Sequence, residues 1–169
     1  MCARRPLLTV IGVLALGAAA MLTPACGGPA VPLDQVLKVT DVVTGWYDAG
    51  IVEGDKNKLV PSISFRVTNA GLEKVSSVYI TLSFRQIGDP QEWGSSYVKA
   101  VGPEGLPGGA STQPIVVRST FGYKAPQPRL QMLQNSGFKD AQVSLFAKSG
   151  SAAPVKIGEF KVERQLLTQ

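Results

Sequence analysis

The fold class that the sequence predicts is all-β, a single antiparallel β-sandwich of about seven strands behind an N-terminal signal peptide. Three observations carry this. Apolar residues recur with period two along most of the chain, the spacing of a half-buried strand. Turn-forming Gly, Pro, Asn and Asp clusters punctuate the pattern about every 8–12 residues. Beyond the leader, helical periodicity is almost absent.

The elements are taken in chain order. Val36 to Trp46 is rich in β-branched residues and reads as a first, bent strand. Tyr47 to Lys58, with Asp48, Gly50, Glu53, Gly54, Asp55 and Asn57, reads as a polar loop. Pro61 lacks an amide donor and marks a strand start or edge. After it, Ile63, Phe65 and Val67 alternate with Ser64, Arg66 and Thr68 up to a turn at Asn69-Ala70-Gly71. The clearest strand sets Val78, Ile80, Leu82 and Phe84 on one face and Tyr79, Thr81, Ser83 and Arg85 on the other. A turn at Gly88-Asp89-Pro90 leads to a strand from Trp93 to Val101, with Tyr97 and Val98 as candidates for burial. Gly102 to Gly109 is an irregular loop; it lacks the Lys-Ser/Thr ending of a phosphate-binding loop. Pro114 opens a strand running to Tyr123, and Leu130, Met132 and Leu133 form one helical turn. Ala141 to Lys148 and Val155 to Val162 are the last two strands, with a bulge at Gly158. Leu166 to Gln169 reads as a frayed tail.

The leader is the most informative stretch for function. Arg4 and Arg5 precede an apolar run from Pro6 to Leu22, and small residues come next. Basic residue, apolar run and small-residue cut site make a signal peptide, so the chain beyond it is expected to be exported. Two cut sites compete. Ala18-Ala19-Ala20 suits ordinary signal peptidase, and Thr23-Pro24-Ala25-Cys26 resembles a bacterial lipobox. In the second case residues 1–25 are removed and the Cys26 thiol carries a diacylglycerol. Cys2 goes with the leader, leaving Cys26 as a single thiol in an oxidising compartment, and acylation accounts for it. Residues 26–34, with Gly27, Gly28, Pro29 and Pro32, then serve as a tether, and 35–165 as the domain.

Composition excludes more than it assigns. With no histidine in the chain, a Ser-His-Asp triad, a Cys-His pair and a His-based zinc or copper site are all ruled out. Removal of 25 of the 169 residues leaves 144, enough for one domain with a real core. The leader takes two arginines and no acid with it, so the net charge of +5 falls to +3. The basic residues are scattered singly, which is a solubility pattern and not a nucleic-acid footprint.

Phe65-Arg66-Val67-Thr68-Asn69, the strand from Val75 to Phe84, and Leu106-Pro107-Gly108 leading into Ile115 to Arg118 resemble the Ig-like FxLYD-type domains of bacterial surface lipoproteins. The similarity spans residues 59–122. It departs at Leu106-Pro107-Gly108-Gly109, which has one proline. The resemblance implies an immunoglobulin/fibronectin-III-like fold and carries over no functional residues.

Three further chemistries are open to these residue types. Asp48, Glu53, Asp55 and Asn57 offer oxygens for calcium, but their spacing matches no calcium loop and they read as a solvated loop. Carboxylate pairs for glycoside hydrolysis are not placed inside apolar runs that would raise a pKa. Trp46, Tyr47, Trp93, Tyr97, Phe121 and Tyr123 offer an aromatic strip for sugars or peptides, with Trp93, near a turn, the candidate contact residue. The expectation is a non-enzymatic, membrane-anchored cell-envelope lipoprotein, without cofactor, nucleic acid or small-molecule substrate. It presents its domain to an envelope protein partner or serves envelope structure, on the extracytoplasmic side and at the outer membrane if the source has one. The alternatives are an accessory subunit of a secretion or transport assembly, or a carboxylate-based glycan-acting enzyme.

Overall fold

The computed structural model describes residues 32–167; the leader, Cys26 and the tether up to residue 31 lie outside the described residues. Nine strands and two short helices run in the order α1 (Leu33–Val36), β1 (Leu37–Val52), β2 (Lys56–Asn69), β3 (Val78–Gln86), β4 (Glu92–Val101), β5 (Ile115–Arg118), β6 (Tyr123–Ala125), α2 (Arg129–Gln134), β7 (Ala141–Ser149), β8 (Val155–Lys161) and β9 (Leu166–Leu167). One sheet has the order β5-β2-β1-β9, with β6 also on β2; the other is β4-β3-β7-β8. The pairing is antiparallel except between β1 and β9. Strands leave one sheet for the other after β2 and return after β4, giving an all-β sandwich of two mostly antiparallel sheets.

The core is the layer between the sheets. Ile63, Phe65, Val67 and Val117 come from one sheet; Val78, Ile80, Leu82, Phe84, Val143, Leu145 and Ala147 come from the other. All lie on the inward-facing set of their strands, as alternation requires. Each large apolar side chain buried there contributes about 1.5–3 kcal/mol.

Several elements differ from the sequence reading, each for a local reason. Tyr47 to Lys58 is no loop: β1 and β2 form one long hairpin, and only Glu53-Gly54-Asp55 connects them. Gly54 and Asp55 have φ of 71° and 54°, the left-handed backbone that a tight hairpin connection needs. Two bulges hide the strand from a period-two reading. At Asp41 (φ 51°) and Gly50 (φ 84°) β1 carries one extra residue against β2, so alternation changes phase twice.

Pro61 sits inside β2 rather than at its start. Its carbonyl accepts from Ser119 N, so the side lacking an amide hydrogen faces the interruption between β5 and β6, where no ladder bond is lost. That interruption splits the strand expected from Pro114 to Tyr123. Gly122 lies against the β2 backbone, and a Cβ there would come within 2.0 Å of Leu59 O. Tyr97 is 63 % exposed, not buried, because it pairs with Thr81 on the outer face. Leu166 and Leu167 are not frayed. They run parallel to Trp46 and Tyr47, admitted by Gly45, while Gln165 Nε2 donates to Thr44 O and Trp46 N to Gln165 O. The helical turn at α2 and the bulge opposite Leu145 at Gly158 stand where the sequence places them. A second helical turn, α1, has no signal in the sequence reading; its Leu33 and Val36 pack on the core, so the folded segment starts inside the expected tether.

Replacing Gly122 with alanine is expected to lower stability by about 2 kcal/mol or more, since a backbone carbonyl must move. Urea unfolding checks this; an unchanged midpoint would mean that β2 and the 119–122 segment are not in contact.

Candidate functional site

The sequence reading singles out Cys26 and Trp93. Cys26 lies outside the described residues. Trp93 opens β4 next to Gly94, an edge strand that carries it over the end of the sandwich. It is half-buried there, with one side packed in an aromatic cluster. Its ring meets Trp46 edge-on at 6.2 Å and Tyr123 at 5.1 Å, and Trp46 meets Phe138 at 4.6 Å. Such edge-to-face geometry sets positive ring edges on negative ring faces. Trp46 is fully buried, and Leu59, Met132, Leu133 and Val162 complete the cluster, with α2 as its lid. Of the aromatic strip, then, Trp46 and Tyr123 belong to a second core, and Trp93 forms its wall.

The other side of Trp93 faces a cleft of about 390 Å³ lined by Gln86, Asp89, Gln91, Glu92 and Phe121. Phe121 is 58 % exposed. Both carboxylates are engaged locally: Asp89 Oδ1 accepts from Gln91 N at 2.9 Å, and Glu92 Oε2 accepts from Ser83 Oγ at 2.6 Å. An aromatic wall with amide and carboxylate groups suits a contact surface for polar, partly apolar ligands.

The polar side chains at this end are tied into structure. Tyr123 Oη donates to Lys139 O at 3.1 Å and accepts from Lys139 N at 2.9 Å; burial raises its pKa above the ordinary value. Arg164 holds the segment before β7 by donating from Nε to Asp140 Oδ1 at 2.6 Å and from Nη2 to Phe138 O at 2.9 Å. The Arg164 hydrogen bond keeps the Asp140 carboxyl below its usual range.

The suspected calcium residues do not converge. Asp48 pairs with Arg129, which lowers its pKa, and accepts from Gly50 N; Asn57 Nδ2 donates to Gln127 O. Among the described residues there is no group of three or more acidic or cysteine side chains able to hold a metal ion.

On the outer face of the second sheet, sequence reasoning missed a network around Glu159. Its Oε2 accepts from Lys156 Nζ at 2.7 Å, Ser144 Oγ at 2.7 Å and Arg85 Nη2 at 2.8 Å. The Lys156 and Ser144 hydrogen bonds lead in pulling its pKa down to about 2. The signal lay in the period-two positions of Arg85, Ser144 and Glu159, but only the pairing register aligns them.

No protein-family model and no curated protein matches the sequence. Among solved structures, the X-ray structure of Northeast Structural Genomics Consortium target SoR45 is similar, with a TM-score of 0.45 and 13% identity over 78% of this chain and 89% of that one. A likeness so distant bears on no activity.

Two outcomes are expected. Trp93→Ala should cost about 2–3 kcal/mol, because it opens the wall of the aromatic core; a negligible change in the urea midpoint would place Trp93 outside that packing. Glu159 titrates at about 2 in the folded chain against an ordinary 4.5. Its ion pairs therefore stabilise the fold above pH 4.5, and that contribution is lost as pH falls from 4.5 towards 2. Glu159→Gln should be less stable than the parent at pH 7, by under about 1 kcal/mol because the site is solvent-screened, with the difference vanishing near pH 2.

Proposed function

We propose that this chain is an exported, membrane-anchored cell-envelope lipoprotein. Its sandwich is a non-enzymatic contact module. The observation that carries this reading is the run from Arg4 to Cys26: basic residues, an apolar stretch, small residues, then one cysteine. The closeness of the fold to that cysteine supports it, because only residues 27–32 separate Cys26 from α1. A short Gly/Pro tether is what a module held at a bilayer surface requires. Two or three acyl chains, at about 0.8 kcal/mol per buried methylene, hold such a protein stably. No helix among the described residues is long and apolar enough to cross a membrane.

The non-enzymatic part rests on charge. Where carboxylates are shifted, at Asp48, Asp140 and Glu159, the shift is downward and the cause is a basic partner. A general acid needs the opposite shift. In this reading the module works by contact, on the extracytoplasmic side, and at the outer membrane where the source has one.

Metabolic labelling with a palmitate analogue is expected to mark the wild type and not Cys26→Ser, with the mature N-terminus mapped to residue 26. An unlabelled protein beginning at Met21 would refute the anchor. Glycan turnover by the purified chain would refute the contact role.

A further inference from the structure

The outer face of the four-stranded sheet carries a patch that neither the anchor nor the core explains. Alternation along β3 sends Tyr79 and Thr81 outward. The pairing register then sets Lys99 and Lys148 on either side of Tyr79, and Tyr97 and Phe146 on either side of Thr81. Lys156 pairs with Phe146 on the next strand. Six side chains on four neighbouring strands, three aromatic and three cationic, therefore share one face.

Tyr79 and Tyr97 are diagonal neighbours whose rings stack at 5.2 Å and 5°. Stacking braces the pair against the sheet, so little rotamer freedom is left to lose on binding. Tyr97 is the exposed member, at 63 %. Lys99 and Lys148 make no ion pair among the described residues, and strand spacing sets their backbones about 10 Å apart. Two carboxylates border the patch: Glu159 is already matched by Lys156, Arg85 and Ser144, and Glu92 accepts from Ser83 Oγ. Ser83 and Ser95 continue the face with small hydroxyls.

We propose that this face binds an acidic polysaccharide, with a sugar ring stacked on Tyr97 and carboxylate or phosphate groups on Lys99 and Lys148. Sugar rings offer apolar C–H faces to an aromatic ring and hydroxyls to serine, and the acidic groups complement the unpaired ammonium groups. An extended peptide is recognised at a sheet edge through backbone pairing, whereas these residues lie on the flat of the sheet. A single-stranded nucleic acid shares the chemistry of rings and cations. Preferring the glycan rests on the exported reading above, and the surface itself does not.

The test uses the full chain in detergent micelles over immobilised polygalacturonate. Dextran serves as the uncharged polymer, polyglutamate as the polyanion without sugar, and oligothymidylate as the nucleic acid. Binding should be strongest to polygalacturonate and absent on dextran, and should weaken as salt rises from about 50 to 200 mM. Tyr97→Ala and Lys99→Glu/Lys148→Glu should each weaken it about tenfold, the scale of one stacked ring or of lost charge pairing. Their melting temperatures should match the parent's, and Tyr97→Phe should keep binding. Lys124→Glu, a charge change on β6, should have no effect. Equal weakening by Lys124→Glu would reduce the site to general charge attraction and overturn it. So would indifference to Tyr97→Ala, or equal binding to polyglutamate. Preference for oligothymidylate would keep the surface but overturn the glycan. Loss of palmitate label with glycan binding intact would overturn the anchor alone.

Discussion

The apolar layer between the two sheets is the interaction on which the rest of this structure depends. Cysteine occurs only at positions 2 and 26, so no disulfide braces residues 32–167. Burial of Ile63, Phe65 and Val67 against Ile80, Leu82, Phe84, Val143 and Leu145 must therefore offset the conformational entropy of ordering the chain. That layer also sets the exterior. Once Val78, Ile80, Leu82 and Phe84 face inward, Tyr79, Thr81, Ser83 and Arg85 have to face water, and the register of β4 and β7 decides which side chains stand beside them. The cationic aromatic face and the Glu159 network are consequences of core packing as much as of their own sequence.

The ends of the sandwich obey a different logic. At one end, a second core of Trp46, Trp93, Tyr123 and Phe138 packs with Met132 and Leu133 of α2. Arg164 and Tyr123 bind backbone groups at Phe138 and Lys139, which holds the lid segment down without a regular element. The bulge at Asp41, between Leu37 and Trp46, shifts the phase of β1, so that one strand serves the main core near Leu37 and the second core at Trp46. Polar side chains at this end are occupied in holding the structure, while those at Lys99 and Lys148 are not.

Much of the fold was legible because β3 and β7 carry uninterrupted alternation, and a period-two pattern with one apolar face has few alternative placements. The core set of β2 and β3 could be read directly from Ile63 to Phe84. Legibility failed where geometry departs from period two. The bulges shifted phase at Asp41 and Gly50, so a long hairpin read as strand plus loop. Polar composition at Asp48 and Asn57 hid extended backbone. Pro61 read as a strand start or edge because its neighbour's interruption cannot be seen from β2 alone. Of the candidate site, Trp93 was found from its turn context, but its half-buried state depends on Trp46 and Tyr123, which are distant in sequence.

By itself, the sequence determined the sandwich class, the inward set of most strands and the exclusion of histidine chemistry. These depend on local periodicity and on which residue types are present. Only the tertiary structure decided which outward residues meet. Lys99 and Lys148 stand beside Tyr79 because β4 and the distant β7 pair with β3 in that register, and Tyr97 stacks on Tyr79 because β4 lies antiparallel to β3. A one-residue slip would send each of these side chains to the other face, so the surface exists only once the strands have paired.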